Sequence, residues 1–159
     1  MPMKIGDSIP KFEGATEWLN ELVETADDYV NGQPTLVHFW ATSCGICKEN
    51  MPKLKTLKEK YKENGLKTVA IHMPRYEIDT NLETVKATIE KFCIDDVCAV
   101  DNKHKLKDAF LNEQGWVPVY YLFDAEGKLK TRAAGEFGIG VLTKALEKMF
   151  PEKASHAAA

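Results

Sequence analysis

Cys44 and Cys47, spaced as C-x-x-C within Phe39–Pro52 (FWATSCGICKENMP), are the residues of this chain best suited to chemistry. A thiolate, not a thiol, is the nucleophile in disulfide exchange, so the question is what would ionise one of these sulfurs. An apolar, β-rich run, Pro34–Ala41, precedes the pair, and helical spacing of Met51, Leu54, Leu57 and Tyr61 follows it. The motif therefore falls where a buried strand meets a helix N-terminus, whose unpaired N–H groups and partial positive charge lower a cysteine pKa. Cys44 takes the larger share of that effect and is the candidate attacker. Cys47, one turn later on the inward side, is placed to attack a mixed disulfide formed at Cys44.

Other chemistries fit less well. Zinc would need Cys93 and Cys98 as further ligands, but the first pair opens a long amphipathic helix and the second has a loose spacing. A peroxidatic cysteine of this general kind would want Pro and Thr or Ser upstream, where Val37 and Ala41 stand. His72 and Met73 close a second apolar run, and copper ligation by a Cys/His/Met set lacks its C-x-x-x-C spacing. Cys93 and Cys98 are expected as free thiols that act as small hydrophobes.

The elements that must hold the motif alternate along the chain. Leu66–Met73 reads as a second buried strand after an Asn64-Gly65 helix stop. Leu82, Val85, Ile89 and Phe92 keep helical spacing and lead into a short strand at Val97–Val100. Asp101–Gln114 is predicted as a helix, Val117–Phe123 as the strongest strand, and an Asp124–Gly127 turn joins it to a strand through Ala133. A last helix covers about Gly140–Phe150. The order implies an α/β fold with a central mixed sheet and helices on both faces, one domain over 1–150, and a loosely held tail at 151–159. Of Trp18, Phe39, Trp40, Phe92, Phe110, Trp116, Tyr120 and Tyr121, most are expected in the core, with Trp40 singled out as a neighbour of the motif.

Composition narrows the function classes. Lys+Arg 21 against Asp+Glu 24 gives a net charge of −3 with the signs interspersed, so nucleic-acid binding is not expected. No run approaches the roughly 20 apolar residues of a membrane span, and Met1–Pro10 has no signal-peptide core, which leads to an expectation of a soluble, cytoplasmic protein with no membrane partner.

The motif segment resembles the active site of the thioredoxin superfamily, in which Trp-x-x-x-Cys-x-x-Cys is followed by a helix proline; Trp40, Cys44, Cys47 and Pro52 keep that register. Val117-Pro118 before VYYLFD is similar to the family's cis-proline element, and Gly135 to the glycine before its last helix. The helix and strand between Met73 and Asp101 resemble the insertion of the TlpA/ResA-like branch, closest to its soluble YkuV-like type. The resemblance implies a thioredoxin-like fold. It also implies a cis Val117–Pro118 bond that offers the Val117 backbone to an extended peptide, a substrate groove beside the cysteines. Three positions depart from the pattern: Ser43 stands where tryptophan is usual, His38 replaces a buried aspartate, and Asn50 replaces a glutamate. His38 is then either a core histidine bonded to backbone or the group that takes the proton of Cys47.

The expected activity is reduction of disulfide-containing protein substrates by a monomer, without metal or organic cofactor. An external electron donor, whether a reductase, a thioredoxin-like protein or a small thiol, would restore the dithiol. The competing class is a redox-regulated binding module that forms the disulfide without turnover.

Overall fold

The computed structural model describes residues 1–20 and 25–151. Its frame is a six-stranded sheet in the order β1-β4-β3-β2-β5-β6. The parallel centre is built from β2 (Thr35–Trp40), β3 (Lys67–His72) and β4 (Val97–Val100). On one side β5 (Val119–Phe123) runs antiparallel to β2 and pairs with β6 (Leu129–Ala134). On the other edge β1 (Glu17–Leu19) pairs antiparallel with β4.

Every residue of β2 is buried, as a central strand covered on both faces requires. Its side chains alternate between two cores. Leu36 and Trp40 face α2 (Gly45–Tyr61), α3 (Leu82–Lys91) and α5 (Gly138–Met149), through Met51, Leu54, Val85, Ile89, Leu142 and Leu146. Val37 and Phe39 face α1 (Ala26–Val30), α4 (Lys105–Ala109) and the N-terminal segment, through Val30, Leu106, Phe110 and Phe12. The sheet thus fixes the C-terminal end of β2, from which the motif departs.

Several expectations need correction. The helix over Asp101–Gln114 shrinks to the five residues of α4, because His104 and Leu111, in left-handed backbone conformation at φ 58° and 55°, bracket it. Asp101 caps it from outside, accepting the Leu106 and Lys107 N–H groups at 2.8 Å each. β1 and α1 were not expected: three residues are too few to show alternation, and α1 is five residues held by its Thr25 N-cap. Trp18 and Trp116 are exposed rather than core. Val117 and Pro118 precede β5 instead of opening it. α2, by contrast, continues through Pro52 to Tyr61. Of the expected tail, residues 152–159 lie outside the described residues. Among the described residues no helix is long and apolar enough to cross a membrane.

Candidate functional site

Trp40 ends β2, the chain turns through Ala41–Ser43 with the Cys44 N–H bonded to the Ala41 carbonyl, and Cys44 becomes the N-cap of α2. Its Sγ accepts the Cys47 N–H at 3.0 Å, so the sulfur takes the place of the usual capping oxygen. Cys44 and Cys47 are joined in a disulfide with Cα atoms 5.3 Å apart. Exposure hardly separates them, at 3% and 1%. What distinguishes them is position at the helix start. Trp40 lies beneath the turn rather than on its rim, 1% exposed and edge-on to His72 at 4.7 Å.

Close to the pair, the Val117–Pro118 bond is cis. Asn112 holds the approach to it, donating to the Trp116 carbonyl at 3.0 Å and accepting the Trp116 N–H at 3.2 Å. The Pro118 carbonyl accepts the N–H of Gly135, which sits at φ 78° before α5. Val117 packs against the apolar cluster that contains both cysteines. The structure therefore brings the cysteine pair, Val117 and Pro118 to one region.

The crossover segment after β3 also reaches the motif. Asp79, fully buried in a 3-10 turn at Glu77–Thr80, accepts from Thr42 Oγ1 at 2.6 Å, Ser43 N at 3.0 Å and Ser43 Oγ at 2.8 Å. It also accepts the Arg75 and Tyr76 N–H groups. Burial pushes its carboxyl up, but these donors together outweigh burial and hold it down at about 2. His72, completely buried at the end of β3, accepts the Thr42 N–H on Nε2 at 3.1 Å. Burial lowers its pKa to about 4, against the opposing pull of Asp79, so the ring is neutral at pH 7 with its proton on Nδ1. His72 thus belongs to the strand and is closed off from solvent. With Asp79 it anchors the two residues ahead of Cys44.

His38 shares the face of β2 that carries Leu36 and Trp40, under α2. Its Nε2 is 3.0 Å from Asp96 Oδ2, and the other Asp96 oxygen accepts from Lys58 Nζ. The partner is a carboxylate, not the backbone expected of a core histidine. Burial opposes ionisation of Asp96, yet His38 and Lys58 hold its carboxyl far below the usual range. Asn50, also buried, donates to Tyr120 Oη at 3.3 Å. Cys93 and Cys98 are free, the first exposed and the second buried, its thiol pushed up to about 12 by burial. Among the described residues no three His, Cys, Asp or Glu side chains gather as a metal site.

Sequence reasoning missed Asp79, Arg75, Asp96 and Lys58. Nothing in a polar stretch such as Glu77-Ile78-Asp79-Thr80 marks one acid as buried.

A bonded C-x-x-C pair at a strand-to-helix junction, faced by a cis-proline on a mixed sheet, defines a thioredoxin-like thiol–disulfide oxidoreductase. The chain belongs to the Redoxin family, whose model matches residues 4–146. It is 39% identical over 150 residues to the thiol-disulfide oxidoreductase YkuV of Bacillus subtilis strain 168, covering 94% of this chain and 99% of that protein. To the thiol-disulfide oxidoreductase ResA of Bacillus cereus it is 28% identical, covering 94% and 80%. Among solved structures, a thioredoxin-like protein in the oxidised form superposes with a TM-score of 0.82 at 39% identity, covering 94% of this chain and 99% of that one. The thioredoxin domain of a Bacteroides vulgatus thiol-disulfide oxidoreductase, at 23% identity and TM-score 0.68 over 89% and 97%, shares the fold.

Proposed function

We propose that the protein reduces disulfides of protein substrates through the Cys44–Cys47 couple, with Cys44 attacking and Cys47 resolving. The observation that carries this reading is the placement of Cys44 Sγ as the N-cap of α2, where it receives the Cys47 N–H. The Cys44 thiolate attacks one substrate sulfur; a Cys44–substrate bond forms, the substrate disulfide breaks and a substrate thiolate leaves. The Cys47 thiolate then attacks Cys44 Sγ, the second substrate thiolate leaves, and the Cys44–Cys47 bond holds the two electrons' worth of oxidation. Val117 beside the cis-proline would pair with an extended substrate segment.

For the proton of Cys47 we assign His38. Asp96 stands on its Nε2 side, which leaves Nδ1 as the ring nitrogen that would take the proton. Turnover requires an external electron donor. A reducing, cytoplasmic setting and a monomeric state complete the proposal.

The test is trapping. A Cys47→Ser variant should accumulate mixed disulfides with substrate proteins, and Cys44→Ser should accumulate none and lose insulin-disulfide reduction. If Cys47→Ser traps nothing while the oxidised and reduced forms differ in partner binding, the protein is a redox-regulated binding module.

A further inference from the structure

The reaction as described leaves unused an exposed cation beside the attacking sulfur. Arg75, on the segment between β3 and the 3-10 turn, donates from Nε and Nη2 to Ser43 Oγ at 3.3 and 3.1 Å. Ser43 immediately precedes Cys44. Its hydroxyl passes its own hydrogen to Asp79 Oδ2 at 2.8 Å, so the oxygen is free to accept from the guanidinium. The Arg75 backbone N–H is fixed on the same carboxylate at 2.9 Å, and the guanidinium lies over the Tyr76 ring at 5.3 Å. Serine at position 43 is what makes this possible, since the tryptophan usual in the family has no oxygen to offer.

Charge decides what the arrangement does. Among the described residues no carboxylate forms an ion pair with Arg75. Asp79 is completely buried and spends its oxygens on five donors, whereas the guanidinium is exposed. The rim next to Cys44 therefore shows solvent a positive charge whose Nη1 donors are free. A planar guanidinium with spare donors suits a carboxylate, and a fixed position makes the contact selective.

We propose that Arg75 is a specificity-determining residue of this oxidoreductase, favouring disulfides flanked by a carboxylate. The proposal rests on Cys44 being the attacking sulfur. The carboxylate can belong to an acidic residue of a protein segment or to a small carboxylate-bearing disulfide, and the experiment separates these sources.

Reduced protein is mixed at low salt with matched disulfide peptides whose residue next to cysteine is Asp, Ser or Lys, and with oxidised glutathione. The quantity read is each second-order rate constant for oxidation of the Cys44–Cys47 dithiol, relative to the Ser peptide. The wild-type ratio of Asp to Lys peptide should exceed unity, fall about threefold in Arg75→Ala, be largely kept in Arg75→Lys, and reverse in Arg75→Glu. At about 0.5 M salt the ratio should approach one, as a rim charge demands. If oxidised glutathione follows the Asp peptide the selectivity extends to small disulfides; if only the Asp peptide responds, it is confined to peptide segments. An unchanged Asp-to-Lys ratio in Arg75→Ala, or an equal fall with all peptides, overturns the proposal. Absence of exchange with every peptide in the wild type overturns both the proposal and the assignment of Cys44.

Discussion

Asp79 and Asp96 are two buried carboxylates held in opposite ways. Asp79 is ringed by uncharged donors, two hydroxyls and three backbone N–H groups. Asp96 is held by a histidine ring and an ammonium. Both carboxyls lie below their ordinary range despite burial, but the first through hydrogen bonds and the second mainly through charge. A ring of neutral donors fixes geometry and is indifferent to pH near neutrality. A carboxylate shared between a cation and an imidazole is coupled to any proton the imidazole takes. The first suits a clamp on the turn before Cys44, and the second ties His38 to the charge of Lys58.

The largest expected difference is in stability. Asp96→Ala leaves the buried His38 without its carboxylate, while Lys58 keeps only the exposed Asp95 at 3.5 Å, and should cost about 3 kcal/mol in urea unfolding at pH 7. A loss smaller than that of Asp79→Ala would reverse the contrast between the two sites. Next is the clamp's histidine. In the unfolded chain a histidine binds its proton near pH 6.5, while His72 in the fold does so only near 4. Between those values the unfolded state holds the extra proton, so stability is full above pH 6.5 and drains by about 3 kcal/mol as pH falls to 4. His72→Gln should flatten that part of the stability profile; an unaltered slope would remove His72 from the clamp.

The role of the charged cluster in catalysis comes third. His38→Gln keeps a donor to Asp96 but no base, and the step in which Cys47 displaces substrate should slow about a hundredfold in stopped-flow measurements. An identical rate would reduce His38 to packing. The smallest effect concerns Asp79. Asp79→Asn turns an amide N–H toward donors and should cost about 2 kcal/mol at pH 7, a difference that disappears as pH falls from about 4 to 2 and the native carboxylate itself takes a proton. A cost that persists at pH 2 would mean that packing, not the carboxylate's charge, holds the turn.

Local spacing made the motif legible. Cys44, Cys47 and Pro52 belong to one strand–helix unit, so composition and periodicity located them, and the family resemblance supplied the cis bond at Val117–Pro118. The predicted helix over Asp101–Gln114 failed because side-chain pattern does not record left-handed residues at His104 and Leu111. Asn50 posed the opposite problem: its position signalled a missing carboxylate, but only the fold shows that it spends its amide on the Tyr120 hydroxyl.

By itself, the amino-acid order determined the alternation of strands and helices, the pair of sulfurs at a helix start, and hence the class of reaction, since each depends on neighbours within a few turns of chain. Tertiary structure decided which charged side chains are buried and what holds them. Asp79 meets Thr42 and Ser43 across 37 and 36 residues and Asp96 meets His38 across 58, and such contacts exist only once parallel strands have carried distant segments side by side. A carboxylate's burial depends on the partners folding brings to it, and no window of sequence contains them.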